Sequence, residues 1–170
     1  MSGSRRRRPR NRPDSGQYPF LTLAQYGPDD RRVTKLVLSV VEEAKESEHT
    51  NLYRWIDADV KRNARVRAEM LRVAEGSRIR GVVYTRGVLG CVHEEGEDYP
   101  PGMQCPYCPF WQNRDRWMSA DPVYVRLSAP GDLRDWLDQQ WGPVLPGQER
   151  APAESPPPAD DGPPGEGPPR

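Results

Sequence analysis

The first long apolar stretch of the chain runs from Val33 to Val41 and is dense in β-branched residues. A short stretch of this composition predicts a buried strand. A helix is the competing interpretation, because residues 42–46 could continue it. The apolar residues within 18–23 form a stretch too short to assign, and the Gly-Pro-Asp-Asp segment at 27–30 indicates a turn before the strand.

Apolar residues next recur at steps of three and four positions, as they do along one face of a helix. They are Leu52, Trp55, Ile56, Val60, Val66, Met70, Leu71 and Val73. Gly76 provides a stop for this helix. The pattern predicts one long amphipathic helix from residue 51 onward, or two shorter helices if Asn63 caps the second.

The segments 79–84 and 87–91 flank a two-residue turn, and we interpret them as the strands of a hairpin. Residues 123–127 alternate as a further strand, and the Gly-Asp pair at 131–132 begins a short C-terminal helix. The apolar face of that helix carries Leu133, Trp136, Leu137 and Trp141. This order of elements predicts a single small α+β domain with a short antiparallel sheet, the amphipathic helix and the C-terminal helix.

Both ends of the chain lack the apolar residues that a folded core requires. Residues 1–17 form a basic arm without a large apolar residue after Met1, and residues 147–170 form a Pro-rich acidic tail. Segments of this composition are expected to be disordered. The folded domain is therefore predicted at 18–146, a length that buries about two-thirds of the surface exposed by the unfolded chain.

The charge and the cysteine content indicate in which cellular compartment the protein is expected. The 25 basic and 25 acidic residues leave no net charge to attract nucleic acid or a membrane. Three cysteines, an odd number, do not fit a secreted disulfide framework. The basic run at 5–8 is not followed by an apolar stretch, and no segment approaches the ~18 apolar residues of a membrane span. These features predict a soluble cytoplasmic protein without a membrane partner.

The loop at 90–111 contains all three cysteines and one of the two histidines of the chain. Zinc favours a tetrahedron of thiolate and imidazole ligands, and a C-x-H pair followed by a C-x-x-C pair supplies one. The predicted zinc ligands are Cys91, His93, Cys105 and Cys108. Four protein ligands close the coordination sphere. The zinc would therefore be structural, and it would hold a Pro- and Glu-rich loop that lacks apolar anchors.

A catalytic zinc site is the first alternative. The His-Glu-Glu segment at 93–95, followed by the C-x-x-C pair, resembles the zinc-deaminase signature. That resemblance implies a hydrolase in which Glu95 moves protons for a bound water, and Glu94 is a second candidate for the role. Gln104 stands where that family has proline, and only nine residues separate Glu95 from the C-x-x-C pair. Cys91 as a fourth ligand would also displace the water.

A dithiol redox pair is the second alternative, because the Cys-Pro-Tyr-Cys segment at 105–108 resembles the glutaredoxin active site. In that family the motif opens a helix, which lowers the pKa of the first thiol. Here an acidic loop with two prolines and a glycine precedes the motif, and Pro109 follows it. Three unrelated buried cysteines are the remaining interpretation.

Nucleic-acid binding is a further alternative. Interleaved arginine and aromatic side chains can stack bases and contact phosphates, and a basic arm adds phosphate affinity. The candidate contacts are Arg5, Arg6, Arg7, Arg8, Trp111, Arg114, Arg116 and Trp117. The aromatic residues within 110–117 could equally form an edge of the core. In the main interpretation the chain is a zinc-stabilised binding protein, and its partner is a protein or a nucleic acid.

Two parts of the chain resemble a family of small bacterial proteins to which no activity is assigned. They are the Thr-Leu-Ala-Gln-Tyr-Gly-Pro-Asp-Asp segment at 22–30 and the cysteine loop, with its C-x-H-E-E-G-x-D-Y-P and C-P-x-C-P-F-W segments. The resemblance covers roughly residues 20–118. It implies a cytoplasmic location and similar domain limits, and it implies that both tails are additions peculiar to this chain.

Overall fold

Five strands form one sheet in the part of the chain that the computed structural model describes, residues 17–42, 51–114 and 122–144. The strands are β1 (Phe20–Tyr26), β2 (Lys35–Val41), β3 (Asn51–Ile56), β4 (Gly81–Thr85) and β5 (Pro122–Arg126). The α-helices of the described residues are α1 (Ala64–Gly76) and α2 (Asp132–Trp141). This content confirms the predicted α+β class. The predicted tail at 147–170 and the basic arm, apart from Gln17, lie outside the described residues.

The sheet is mixed, with the strand order β3-β2-β1-β4-β5. The central strand β1 pairs antiparallel with β2 and parallel with β4, and the remaining pairs are antiparallel. The prediction of an antiparallel sheet is therefore wrong for the pair β1–β4. Parallel neighbours require a crossover connection, and here the chain makes it through β2, β3 and α1.

The central strand β1 is the element that the hydrophobic pattern leaves unassigned. Polar Thr22 and Gln25 interrupt its apolar residues, yet Leu21 and Leu23 are fully buried against the rest of the core. The strand predicted at 33–41 is confirmed as β2, and its pairing with β1 excludes the helical interpretation.

The first half of the predicted long helix is a strand. Residues 51–56 form β3 because β2 offers them an antiparallel partner, and a 3-10 turn at Val60–Arg62 follows. Leu52 and Ile56, which belong to the predicted apolar face, are exposed. The second half is confirmed in its shorter form, because α1 begins directly after Asn63, the predicted cap.

The predicted hairpin around residues 85–86 is also wrong. β4 takes β5 as its antiparallel neighbour, which confirms the strand predicted at 123–127. After Gly87, whose φ is +76°, the chain runs beside the end of β1. There the Leu89 amide donates to the Gln25 carbonyl at 2.7 Å. This path brings the start of the cysteine loop to the end of the central strand.

The apolar residues of both helices join those of the sheet in one core. Its fully buried members include Leu21, Leu36, Leu38, Val66, Met70, Leu133 and Leu137. The Trp55 indole of β3 donates to Glu69 of α1 at 2.7 Å, and the Tyr84 ring of β4 meets Trp136 of α2 edge-on. The C-terminal helix and its buried face are therefore confirmed as α2.

Side chains alternate along β2, so Lys35 points to the sheet face opposite Leu36. Strand register places Arg54 of β3 on that same face. The cysteine loop adjoins this corner of the sheet, because Lys35 contacts its residue Val92. Among the described residues, α1 and α2 both fall short of the length and apolar content of a membrane-spanning helix.

We expect Asn63→Ala to lower the free energy of unfolding by about 1–2 kcal/mol, because two amides of the first turn of α1 lose their acceptor. Asn63 is buried, so water cannot replace that acceptor freely. Denaturant unfolding measures the change. Arg72→Ala on the exposed side of α1 is the control and should cost less than about 0.5 kcal/mol. Equal losses in both variants would contradict the capping role.

The turn between β1 and β2 should keep its shape at low pH. The Arg32 amide, the Arg32 guanidinium and the Arg31 amide lower the pKa of Asp29 from 3.8 to about 2. The pKa of Asp29 is lower in the folded state than in the unfolded chain. Its contribution to the free energy of unfolding is therefore present above its ordinary pKa and is lost as pH falls through about 2. We expect NMR titration of the Arg31 and Arg32 amides to show this low midpoint, and Asp29→Asn to abolish it. A midpoint near 3.8 in the wild type would contradict the turn geometry.

Candidate metal centre

The first half of the candidate centre lies beyond the end of β1. The Gly27 amide donates to the Gly90 carbonyl at 2.9 Å, and Tyr26 forms a parallel bridge with Gly90. These contacts hold Cys91, the next residue, at the end of the central strand, and Cys91 is buried. His93 follows two positions later, and its side chain is partly buried.

The second half is attached to the same glycine. The C-x-x-C pair leads into a 3-10 turn at Pro109–Trp111, in which the Trp111 amide donates to the Cys108 carbonyl at 3.0 Å. The buried Trp111 indole donates to the Gly27 carbonyl at 2.8 Å. Both peptide groups of Gly27 are thus bonded to the cysteine loop, one to each half of the centre.

Four ligand atoms converge where the two halves meet. They belong to Cys91, His93, Cys105 and Cys108, and all lie within 4.8 Å of one another. His93 Nδ1 lies 3.5 Å from the sulfur of Cys105 and 3.4 Å from that of Cys108. A tetrahedral zinc with Zn–S of about 2.3 Å and Zn–N of about 2.0 Å separates sulfur from nitrogen by about 3.5 Å. The cluster fits such an ion and could hold a metal.

The environment of Cys108 favours the neutral form of its thiol when no metal is bound. Burial and the neighbouring thiols of Cys91 and Cys105 raise the pKa of Cys108 from 9.0 to about 11. A thiol must lose its proton to become a metal ligand, so a cation that binds here displaces protons. The same burial keeps solvent from the sulfurs, since the three cysteines are at most 6% exposed.

The acidic part of the loop is folded on itself. The Glu94 amide donates to the Asp98 carboxylate at 2.7 Å, and the Asp98 amide returns a bond to the Glu94 carbonyl at 2.9 Å. The Gly102 amide donates to the Glu95 carboxylate at 2.5 Å. Tyr99 is buried in the core cluster together with Trp111. The expectation of a loop without apolar anchors is therefore wrong.

Glu94, one candidate acid–base residue, is already paired. Its carboxylate bonds the Lys35 ammonium and lies 3.2 Å from Nε of Arg54. Glu95, the other candidate, is exposed and bonds within the loop. Neither Lys35 nor Arg54 was predicted to be part of the site. A lysine at the start of an otherwise apolar strand was the available signal.

The candidate nucleic-acid contacts do not form one surface among the described residues. Trp111 is buried, so its ring is not available for base stacking. Arg114 lies over the Phe110 ring with its guanidinium carbon 4.0 Å from the ring centroid. The other candidates lie outside the described residues: Arg5, Arg6, Arg7, Arg8, Arg116 and Trp117.

In comparisons with known proteins, no family model, no curated protein and no solved structure matches the chain. The resemblance of the cysteine loop to a bacterial family stays a prediction. What the site can do is therefore inferred from its own geometry.

We expect Gly27→Ala to lower the free energy of unfolding by about 3 kcal/mol. A Cβ at this position would lie 1.6 Å from the Arg32 carbonyl oxygen, a backbone atom that cannot move aside alone. Thermal unfolding measures the loss. Gly76→Ala is the matched control, because a Cβ there meets nothing within 4 Å, and it should be neutral or stabilising by about 0.5 kcal/mol. A neutral Gly27→Ala variant would contradict the close approach.

Proposed function

We propose that the chain is a zinc-binding protein in which a structural zinc ion holds the loop at 90–111 to the sheet. The observation that carries this proposal is the convergence of one nitrogen and three sulfur atoms within 4.8 Å. Three thiolates and one imidazole are a common ligand set of structural zinc. They are less suited to magnesium or calcium, which prefer oxygen ligands.

Two observations support a structural rather than a catalytic zinc. Cys91 is buried beside the other ligands, so four protein atoms are at hand to fill a tetrahedron and exclude a water. The carboxylate of Glu94, the second candidate base, is paired with Lys35 and Arg54, and that of Glu95, the base that the deaminase resemblance implies, accepts from the Gly102 amide within the loop. A general base must reach the water that it activates, and a carboxylate held by two cations is a weaker base.

We further propose that the protein acts by binding a partner through the zinc-held loop. Met103 and Tyr107 lie on this loop and are 58% and 62% exposed. They are the most exposed of the large apolar side chains in the described residues. Tyrosine combines an apolar ring with a polar hydroxyl and is enriched at protein interfaces. The His93 ring lies 5.0 Å from that of Tyr107, so a ligand of the metal also supports this surface.

We expect the purified wild-type protein to contain one zinc ion per chain, and Cys105→Ser to lower that content strongly. Free zinc at about 1,000 times Kd should add about 4 kcal/mol to the free energy of unfolding, because the ion binds only the folded centre. Metal analysis and thermal unfolding with and without a chelator measure both effects. Met103→Ala, on the same loop and exposed, is the control and should keep the zinc.

X-ray absorption at the zinc edge then separates the structural centre from a catalytic one. A closed centre gives three sulfur neighbours and one nitrogen neighbour around zinc. A water oxygen in place of the Cys91 sulfur would contradict the proposal and would favour the hydrolase. A folded wild-type protein that binds no zinc would contradict both.

A further inference from the structure

Lys35 places an ammonium group inside the protein, next to the candidate metal centre. Its side chain is 6% exposed, and its Nζ lies 5.9 Å from the centroid of the Tyr26 ring. Burying a lysine is costly unless its charge is paired and its hydrogen bonds are satisfied. The Lys35 ammonium, on the sheet face beside the loop, therefore needs an opposite charge and hydrogen-bond acceptors.

The cysteine loop supplies those partners. Lys35 Nζ donates to the Val92 carbonyl at 3.0 Å and to the Glu94 carboxylate. Val92 stands between the ligands Cys91 and His93, and its carbonyl belongs to the peptide group that leads into His93. The bond from Lys35 fixes that peptide group, on which the orientation of His93 relative to Cys91 depends.

The charges of this corner also complement those of a metal centre. Three thiolates and a neutral imidazole around a divalent cation leave one net negative charge, and the centre is buried. Lys35 and Arg54 together with Glu94 carry one net positive charge. Charges inside a protein interact more strongly than in water, so this cluster stabilises the anionic metal-bound centre.

We propose that Lys35, supported by Arg54 and Glu94, is a positioning residue of the metal centre and controls how tightly the centre retains its ion. The proposal rests on the proposed function, because it requires that the four ligands bind a metal. It goes beyond that function by assigning metal retention to a buried ammonium that is not itself a ligand.

The experiment measures the affinity of the full chain for Co²⁺, a spectroscopic substitute for Zn²⁺, in four proteins. They are the wild type, Lys35→Met, Lys35→Arg and the control Lys61→Met. Changes in groups that orient metal ligands typically weaken binding 10–100-fold, and we expect a loss of about that size for Lys35→Met. Lys35→Arg retains a positive charge and should bind more tightly than Lys35→Met. Lys61→Met should match the wild type, because the charged neighbours of Lys61 are Asp59 and Arg62 of its own segment.

Two further measurements distinguish a loss of the fold from a loss of ligand positioning. Circular dichroism of each metal-free protein verifies its fold. The thiolate-to-cobalt absorption verifies that the three sulfurs still bind. If Lys35→Met does not fold, Arg54→Met tests the proposal in its place. Arg54 is a partly exposed residue of an edge strand, so the sheet tolerates the loss of its side chain better. We expect weaker Co²⁺ binding from that variant as well.

The outcomes distinguish this inference from the proposed function. Wild-type protein that binds neither Co²⁺ nor Zn²⁺ overturns both. Wild-type protein that binds Co²⁺ with an affinity equal to that of a folded Lys35→Met variant overturns only the role of Lys35. Equal affinities for Lys35→Met and Lys35→Arg would likewise contradict a role for the charge.

Discussion

The bonds of Gly27 to the cysteine loop are the constraint on which the rest of the site depends. Its amide bonds Gly90 just before the first pair of ligands, and its carbonyl accepts from Trp111 just after the second pair. A side chain at this position would collide with the Arg32 carbonyl, so only glycine lets the chain turn so tightly here. The end of one central strand thereby sets the distance between two ligand pairs that are separated by eleven residues of loop.

The electrostatics of the site follow from the same arrangement. Cys108 is buried beside the thiols of Cys91 and Cys105 and resists ionisation, which its raised pKa reflects. A divalent cation reverses this preference, because it stabilises the thiolates directly. The Lys35–Glu94–Arg54 cluster lies beside the centre, so an acidic residue adjacent to a ligand is held in an ion pair. An acidic sequence next to a metal motif is therefore no guide to catalysis unless its partners are known.

The ligand set and several elements were predictable because their signals are local. The spacing of Cys91, His93, Cys105 and Cys108 is sufficient to identify the cluster, and β2, β5 and α2 follow from short apolar patterns. Strand β3 was mistaken for helix because its pairing with β2 is a tertiary preference that outweighs periodicity. Lys35 was missed for a similar reason. Its role depends on a loop 57 residues away in sequence.

The core and the cysteine loop are stabilised differently, and this difference indicates what a metal would contribute to the fold. A structural zinc in a small finger is the main source of folding energy, since such a peptide has almost no core. Here the sheet and both helices enclose a core in which Leu36, Leu38, Leu133 and Leu137 are completely buried. The loop has little regular structure of its own, and its residues in the core cluster are the three cysteines together with Tyr99 and Trp111. Because ordering a residue costs about 1–2 kcal/mol of conformational entropy, the loop depends on cross-links far more than the core does. A metal at this centre would therefore chiefly order the loop and the surface around Tyr107. The sheet and the helices are stabilised by their own core.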